Sequence, residues 1–452
     1  MKKIFLTLFA GLFLFCGCGI YNSYKPVETV NENLYGDIAS SDSLGIASVD
    51  WRNFFTDQYL QSIIERALEN SNDLKTAQLR VKSAEASLMA ANLSFLPGIS
   101  LAPQGNLSSF DHSAFNKAYT LPATANWQID AFGSLLNDKR GTKMTLLQTQ
   151  ALEQAVKSQL IAAVANYYYT LLTLDEQLRI TEETSIKWKE TVRVAKALKA
   201  AGQYTEAGVA QTEATYYDIC KSVEDLKLNI VKAQNGLSLL LSDTPQNFER
   251  GNLSNQTFPD SLSIGVPLSL LRNRPDVIAS EYALASTFYG VSKARSAFYP
   301  VINLSGTIGW TNNLGQAIVN PGKLIETAVG TITQPLFNKG RNIANLKIAK
   351  NQYEINNLAF QQTLLKAGSE VNDAVSTLQT AKSKREYLDL QIASLERAVK
   401  STKLLMQNGS TNYLEVLTAE RTLLSALLAN VSNQFTEIQS TINLYQALGG
   451  GK

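Results

Sequence analysis

The chain is predicted to be mainly α-helical with a smaller membrane-type β portion, built from two copies of one α-α-β-β-α-α half. Three observations carry this. All eleven prolines lie outside residues 123–244 and 336–452, two blocks rich in Ala, Leu, Gln, Glu and Lys; with no breaker, such stretches favour long uninterrupted helices. A helical run that ends in an aromatic residue and a proline before an alternating segment occurs twice, around Phe95-Leu96-Pro97 and Phe298-Tyr299-Pro300. The alternating segments are near the ten residues that cross an outer membrane as barrel strands.

Taken in order, the chain opens with Lys2, Lys3 and an apolar run over residues 4–15, too short to span a bilayer as a helix and matching a signal peptide over residues 1–17. Cleavage before Cys18 would leave an amino-terminal cysteine for lipidation, as in bacterial lipoproteins. Phe15 and Cys16 depart from that motif, which usually has leucine and a small residue there, and an ordinary secretory signal cut nearby is the alternative. Residues 18–50, rich in Asn, Ser, Asp and Tyr, read as a lipidated tether with little structure of its own.

The first structural repeat spans residues 51–245. Trp51, Phe54, Phe55, Tyr59, Leu60, Ile63, Ile64, Ala67 and Leu68 recur at helical spacing until Asn70-Ser71-Asn72, and a second helix covers about 73–95. Strands at about 99–109 and 119–129 flank a polar loop, and a helical hairpin fills 134–243 with its turn at Ala201-Gly202-Gln203. A linker, 246–269, leads to the second repeat, 270–452. There Pro275 and Asp276 suit the first turn of a helix, Pro300 ends it, strands follow at about 301–311 and 324–334, and a hairpin over 340–448 turns at Asn408-Gly409-Ser410. Along residues 301–311, Ile302, Leu304, Ile308 and Trp310 share one face, and Asn303, Ser305, Thr307 and Thr311 the other. Aligning Gly202 with Gly409 superposes Val209 on Val416, Glu213 on Glu420 and Leu237 on Leu444. The long hairpin arms, roughly 60 to 70 residues, would extend about 100 Å, and their regular polar residues exclude burial in lipid. Four strands cannot close a barrel, and an open edge is not tolerated in lipid; strands in a membrane therefore require several copies of the chain.

Composition excludes other classes. A net charge of +2 and no basic block argue against a nucleic-acid partner. The single histidine, His112, and three cysteines cannot build a metal cluster or disulfide framework, so no cofactor is expected. His112 reads as a loop residue and Cys220 as a small side chain on a helix. Gly449-Gly450-Gly451 is a flexible chain end and not a phosphate-binding loop. Tyr167-Tyr168-Tyr169 supplies helix packing surface, with a lumen-facing tyrosine as the alternative. No nucleophile, base and orienting group converge, so an enzyme is not expected.

The chain resembles the TolC-like outer-membrane efflux proteins, particularly the lipoprotein branch that works with resistance-nodulation-division pumps. The resemblance rests on Leu271-Arg272-Asn273-Arg274-Pro275-Asp276-Val277, residues 290–300, Gln334-Pro335-Leu336-Phe337-Asn338, Glu370-Val371-Asn372-Asp373-Ala374 and the closing Leu444-Tyr445-Gln446-Ala447-Leu448, in that order. It implies a homotrimer in which four strands per chain close a twelve-stranded barrel in contact with outer-membrane lipid. The hairpins would form an α-barrel crossing the periplasm, completed by a periplasmic adaptor and an inner-membrane transporter. It also implies passive conduction of small solutes, gated at the periplasmic hairpin tips, whose residues would be Gly202, Gly409, Asn412, Tyr413 and Glu415. Gly208 stands where an aspartate is common in the family and Thr411 where some members have arginine, so a charge-based latch must differ here. Glu415 is either a solvated carboxylate at a helix start or one of a ring of three in the trimer. Arg272, Arg274 and Asp276 are expected to fix a helix end rather than to act on cargo. A duct for protein secretion with an ATP-driven transporter, and a non-conducting periplasmic coiled-coil scaffold, are the competing readings.

Overall fold

The structure, a computed structural model, describes residues 21–26, 49–112, 114–258, 273–313, 318–408 and 413–451. The leader, Cys18 and most of the tether lie outside the described residues, as do residues 259–269 of the linker. The helices are α1 (Trp51–Phe54), α2 (Gln58–Asn70), α3 (Asn72–Leu93), α4 (Ser134–Ala200), α5 (Glu206–Leu240), α6 (Pro275–Ser296), α7 (Arg341–Gln407) and α8 (Tyr413–Ala447). The strands are β1 (Gly98–Leu101), β2 (Gln104–Ser108), β3 (Asn116–Ile129), β4 (Val301–Asn313) and β5 (Ile318–Thr333). The arms α4 and α7 are 67 residues each, and the return arms α5 and α8 are 35 each. Among the described residues no helix is long and apolar enough to cross a membrane.

Two compact units divide the chain, and each takes segments from both sequence repeats. The first comprises Met1–Glu28, Gln78–Ala151 and Ile278–Thr363; the second Thr29–Ala77, Leu152–Val277 and Leu364–Lys452.

The first unit holds the antiparallel sheet, ordered β1-β3-β4-β5 with β2 also on β3. The strand expected over 99–109 is interrupted at Ala102-Pro103. The cause lies partly across the ladder: Ala102 N–H still reaches the Pro122 carbonyl at 3.2 Å, but Pro122 and Pro103 both lack the N–H needed to continue the pairing. Pro122 is tolerated in an interior strand because its N–H side faces this gap. On its other side it is paired with Gly309. A Cβ on Gly309 would stand 2.8 Å from Pro122 Cα and closer still to the Leu121 carbonyl. The remaining strands are longer than sequence punctuation implied: β3 begins at Asn116, β4 runs to Asn313 and β5 begins at Ile318, through Pro321-Gly322. Side chains extend the ladder there. Asn312 accepts from Tyr119 N–H at 2.6 Å and donates to the Lys117 carbonyl at 2.8 Å, while Gly322 N–H donates to the Tyr119 hydroxyl at 3.0 Å.

Register gives the sheet two unlike faces. Leu121, Trp127 and Ile129 pair with Trp310, Leu304 and Ile302 on one; on the other, Thr120 and Thr124 meet Thr311 and Thr307, their hydroxyls 3.0 and 3.5 Å apart. Below the sheet, both helix-to-strand junctions are tied by side chains. Trp127 Nε1 donates to the Phe95 carbonyl at 2.8 Å, and Gln334 and Asn342 donate to the carbonyls of Phe298 and Ala297. Tyr21, in the described piece of the tether, donates to the Ala131 carbonyl at 2.8 Å.

The second unit is built on a buried aromatic and aliphatic cluster. The run expected as one helix from Trp51 is broken by Phe55-Thr56-Asp57, because Asp57 caps α2 by accepting from Tyr59 N–H at 2.9 Å. Trp51, Phe54, Phe55, Leu60 and Ile64 pack there with Val164, Tyr168, Leu171, Leu237 and Ile442. Tyr168 and Tyr169 are fully buried, which settles two of the three consecutive tyrosines as packing residues. Phe54 stacks on Tyr445 at 4.1 Å between centroids.

The glycine at 309 yields a test. Gly309→Ala should lower the midpoint of β-signal loss in thermal circular dichroism, by an amount matching about 1–3 kcal/mol of overpacking. Gly306→Ala, whose Cβ would meet only the Thr327 carbonyl at 3.7 Å, should melt like the wild type.

Candidate functional site

The ends of the two hairpins, in the second unit, carry the residues from which the sequence leads one to expect a gate. The chain leaves α4 through a Schellman-type turn: Gly202 has φ +74°, its N–H donates to the Lys199 carbonyl, and Gln203 N–H donates to the Leu198 carbonyl. Thr205 then caps α5, accepting from Gly208 N–H at 3.0 Å. The Tyr204 ring lies against Gly208 so closely that any Cβ there would collide with it. A side chain at 208 would therefore require the Tyr204 ring to swing away.

Tyr204 meets Tyr413 edge-on, 5.5 Å between centroids. Tyr413, the first residue of α8, is buried with Trp188, Val209, Ile219 and Leu417, and its hydroxyl donates to the Thr191 carbonyl at 3.2 Å. Burial pushes its phenol up to about 12, so it is a hydrogen-bond donor at all physiological pH. Each hairpin is also clamped by a Lys–Glu pair: Lys196 to Glu213 and Lys403 to Glu420, both at 2.6 Å. These are the equivalent positions of the two repeats, yet Glu420 is far more buried, its side chain 11 % exposed against 31 % for Glu213. Two buried polar atoms in this region have no partner among the described residues, Trp188 Nε1 and the second Glu420 carboxylate oxygen. Glu415 is exposed in the first turn of α8, where a carboxylate favours the helix dipole. Gly409, Asn412 and Thr411 lie outside the described residues.

The motif around Pro275 anchors the same unit. Pro275 opens α6 and Asp276 sits in its first turn, as the sequence implies; Arg272 lies outside the described residues. Arg274 is buried. Its guanidinium donates to both Asp276 oxygens at 3.0 and 2.8 Å, to Glu370 at 2.6 Å and to the Ala447 carbonyl at 3.0 Å. One side chain thus joins α6, α7 and the end of α8. Burial alone would raise the Asp276 carboxyl, but the Arg274 hydrogen bonds and charge outweigh it and hold the group below its ordinary value. Pro300 separates the end of α6 from β4, also as the sequence implies.

The glycine end corrects an expectation. Residues 449–451 are buried and fixed, not flexible: Gly449 and Gly451 have φ +87° and +84°, Ser158 donates to the Gly450 carbonyl at 2.5 Å, and Gly451 N–H donates to the Tyr445 hydroxyl at 2.9 Å. Sequence reasoning missed this role because three glycines signal backbone freedom, and only the packed neighbours show that the freedom is used to turn beside Arg274. Cys220 is half-buried beside Ser185, and no group of metal-binding side chains occurs among the described residues. His112 lies at φ +58° in the turn after β2.

The profile of the outer membrane efflux protein family matches residues 63–242 and 266–450. "Cation efflux system protein CusC" of Escherichia coli K12 is 28 % identical over 447 residues, 96 % of each chain. "Probable outer membrane lipoprotein SilC" of Salmonella typhimurium is 28 % identical, with 100 % of this chain and 99 % of that one aligned. A crystal structure of CusC superposes with a TM-score of 0.85 at 25 % identity, covering 95 % of this chain and 99 % of that one. The combination of long helical hairpins and a small sheet is therefore shared with solved channels.

The Arg274 cluster sets a pH signature. Because the folded Asp276 value is depressed, its stabilisation is complete above the ordinary carboxylate value of 3.8 and is lost as pH falls through the lower folded value. Denaturant titrations should show this acid limb in the wild type. Arg274→Ala should flatten it and destabilise the unit by about 1–3 kcal/mol, the loss of hydrogen bonds to a charged group, because the Asp276 and Glu370 carboxylates left behind are 43 % and 39 % exposed and regain water.

Proposed function

The chain belongs to the outer membrane efflux protein family, and from that membership we propose that three copies close one twelve-stranded barrel in the outer membrane, continued by a helical tube from the hairpins. The protein is an outer-membrane efflux channel. The observation that most supports the trimeric assembly is the sheet itself: a single antiparallel sheet with one apolar and one polar face, and with β1–β2 and β5 unpaired at its two edges among the described residues. In lipid those edges must find strand partners, and a sister chain's opposite edge is the complementary one.

The conduit is passive and open to small solutes, drugs, toxic compounds or metal ions, with the driving energy supplied by an inner-membrane resistance-nodulation-division transporter through a periplasmic adaptor. It performs no catalysis. Cys18 carries a lipid that fixes the amino terminus to the membrane, a reading favoured by the name of SilC. The two halves are a tandem duplication, which the matching arm lengths of 67 and 35 residues support.

Gating resides at the hairpin ends, among Gly202, Gly409, Asn412, Tyr413 and Glu415. Tyr413 holds the start of α8 against the first hairpin through the Thr191 carbonyl.

Purified protein in planar bilayers tests this. The expected result is a trimer in detergent that forms pores, with Tyr413→Phe shifting the closed-to-open balance by about fivefold for a loss of about 1 kcal/mol. A stable monomer with no conductance would overturn the assembly; an unaltered balance in Tyr413→Phe would remove Tyr413 from the gate.

A further inference from the structure

The five strands carry only three lysine, arginine, aspartate or glutamate residues: Lys117, Lys323 and Glu326. Register sorts them between the faces. Lys117 is two residues from Tyr119 and four from Leu121, so it shares their apolar face, and it pairs with Leu107. Glu326 is opposite Ile308, which places it on that face too. Lys323 is opposite Thr311, whose own partner is Thr120. It is therefore the single formal charge on the polar face of the described strands. It is exposed, and no carboxylate forms an ion pair with it among the described residues. The other positions near it on that face carry no charge: the hydroxyls of Thr120, Thr124, Thr307 and Thr327, with Pro122, Gly309 and Ile325 between them.

We infer that Lys323 is a selectivity residue of the barrel: three copies place a ring of ammonium groups inside the outer end of the pore, favouring anions and depleting cations at the exit. The inference rests on the channel reading, in which the apolar face meets lipid and the polar face lines the lumen. Lys323 pairs two residues before the end of β4, so the ring lies near the strand ends that are remote from α4 and α7. Twelve strands spaced about 4.8 Å apart and tilted about 40° enclose a radius of about 12 Å at the backbone. That is comparable to the Debye length of about 10 Å at 0.1 M salt and well inside the value of about 30 Å at 0.01 M. At low salt the whole cross-section feels the ring. Lysine and arginine rings are the usual basis of anion preference in pores.

Reversal potentials across a potassium chloride gradient test the assignment, using the full-length trimer in planar bilayers. Lys323→Gln is expected to raise the ratio of potassium to chloride permeability about twofold or more at low salt, with the change shrinking at 1 M salt as screening takes over. Lys323→Glu should raise it further, and Lys323→Arg should restore the wild-type ratio. Glu326→Gln and Lys117→Gln, charges on the opposite face, should leave the ratio unchanged. Wild-type pores whose selectivity is indifferent to Lys323→Gln and Lys323→Glu, or that respond equally to Glu326→Gln, would overturn the inference while leaving the channel reading intact. Absence of any wild-type pore would overturn both.

Discussion

An antiparallel sheet placed in hydrocarbon has no water to satisfy its edges, and most features of the first unit answer to that constraint. Within the sheet the ladder is kept whole wherever the sequence would break it. Pro122 directs its missing donor toward the Ala102-Pro103 interruption, Gly309 gives up its side chain to let β3 and β4 close, and Asn312 and Tyr119 carry the hydrogen bonding past the register shift near Thr311. At the outer boundaries, β1–β2 and β5 keep their free groups, and these are the surfaces that the proposed trimer uses. The same alternation that pairs the edges separates an apolar exterior from a hydroxyl-rich lining.

The second unit solves a different problem, which is how to hold several long helices in register. A single buried guanidinium does much of this. Arg274 satisfies two carboxylates and one helix-end carbonyl, and the final glycines fold beside it because no Cβ obstructs their turn. Tyr445 extends the arrangement, stacking on Phe54 while its hydroxyl donates to the Val49 carbonyl at 2.8 Å. Tyr445 thus ties the end of α8 that is opposite the hairpin ends to the segment just before α1.

At those ends the duplication ceases to be symmetric. Both hairpins keep a Lys–Glu clamp at equivalent positions, but Glu420 of the second is far less exposed than Glu213 of the first, while both lysines stay exposed. Trp188 and Tyr413 have no counterparts of their own kind at the positions of the other repeat, Leu395 and Glu206.

The sequence by itself determined the elements that depend on local chemistry. Proline-free blocks marked the two hairpins, Gly202 marked a left-handed turn, Pro275 and Pro300 bounded a helix, and alternation over 301–311 fixed the faces of β4. The tertiary structure alone decided what depends on partners distant in the chain. The break in the first strand needs Pro122 across the ladder as well as Pro103. The extension of β5 through Pro321 needs Tyr119, and the ordering of the glycine end needs Ser158 and Tyr445. The buried role of Arg274 needs Glu370, 96 residues away. Local propensity acts over a few residues and is written in their order, whereas burial and hydrogen-bond satisfaction are properties of neighbours that only the folded chain brings together.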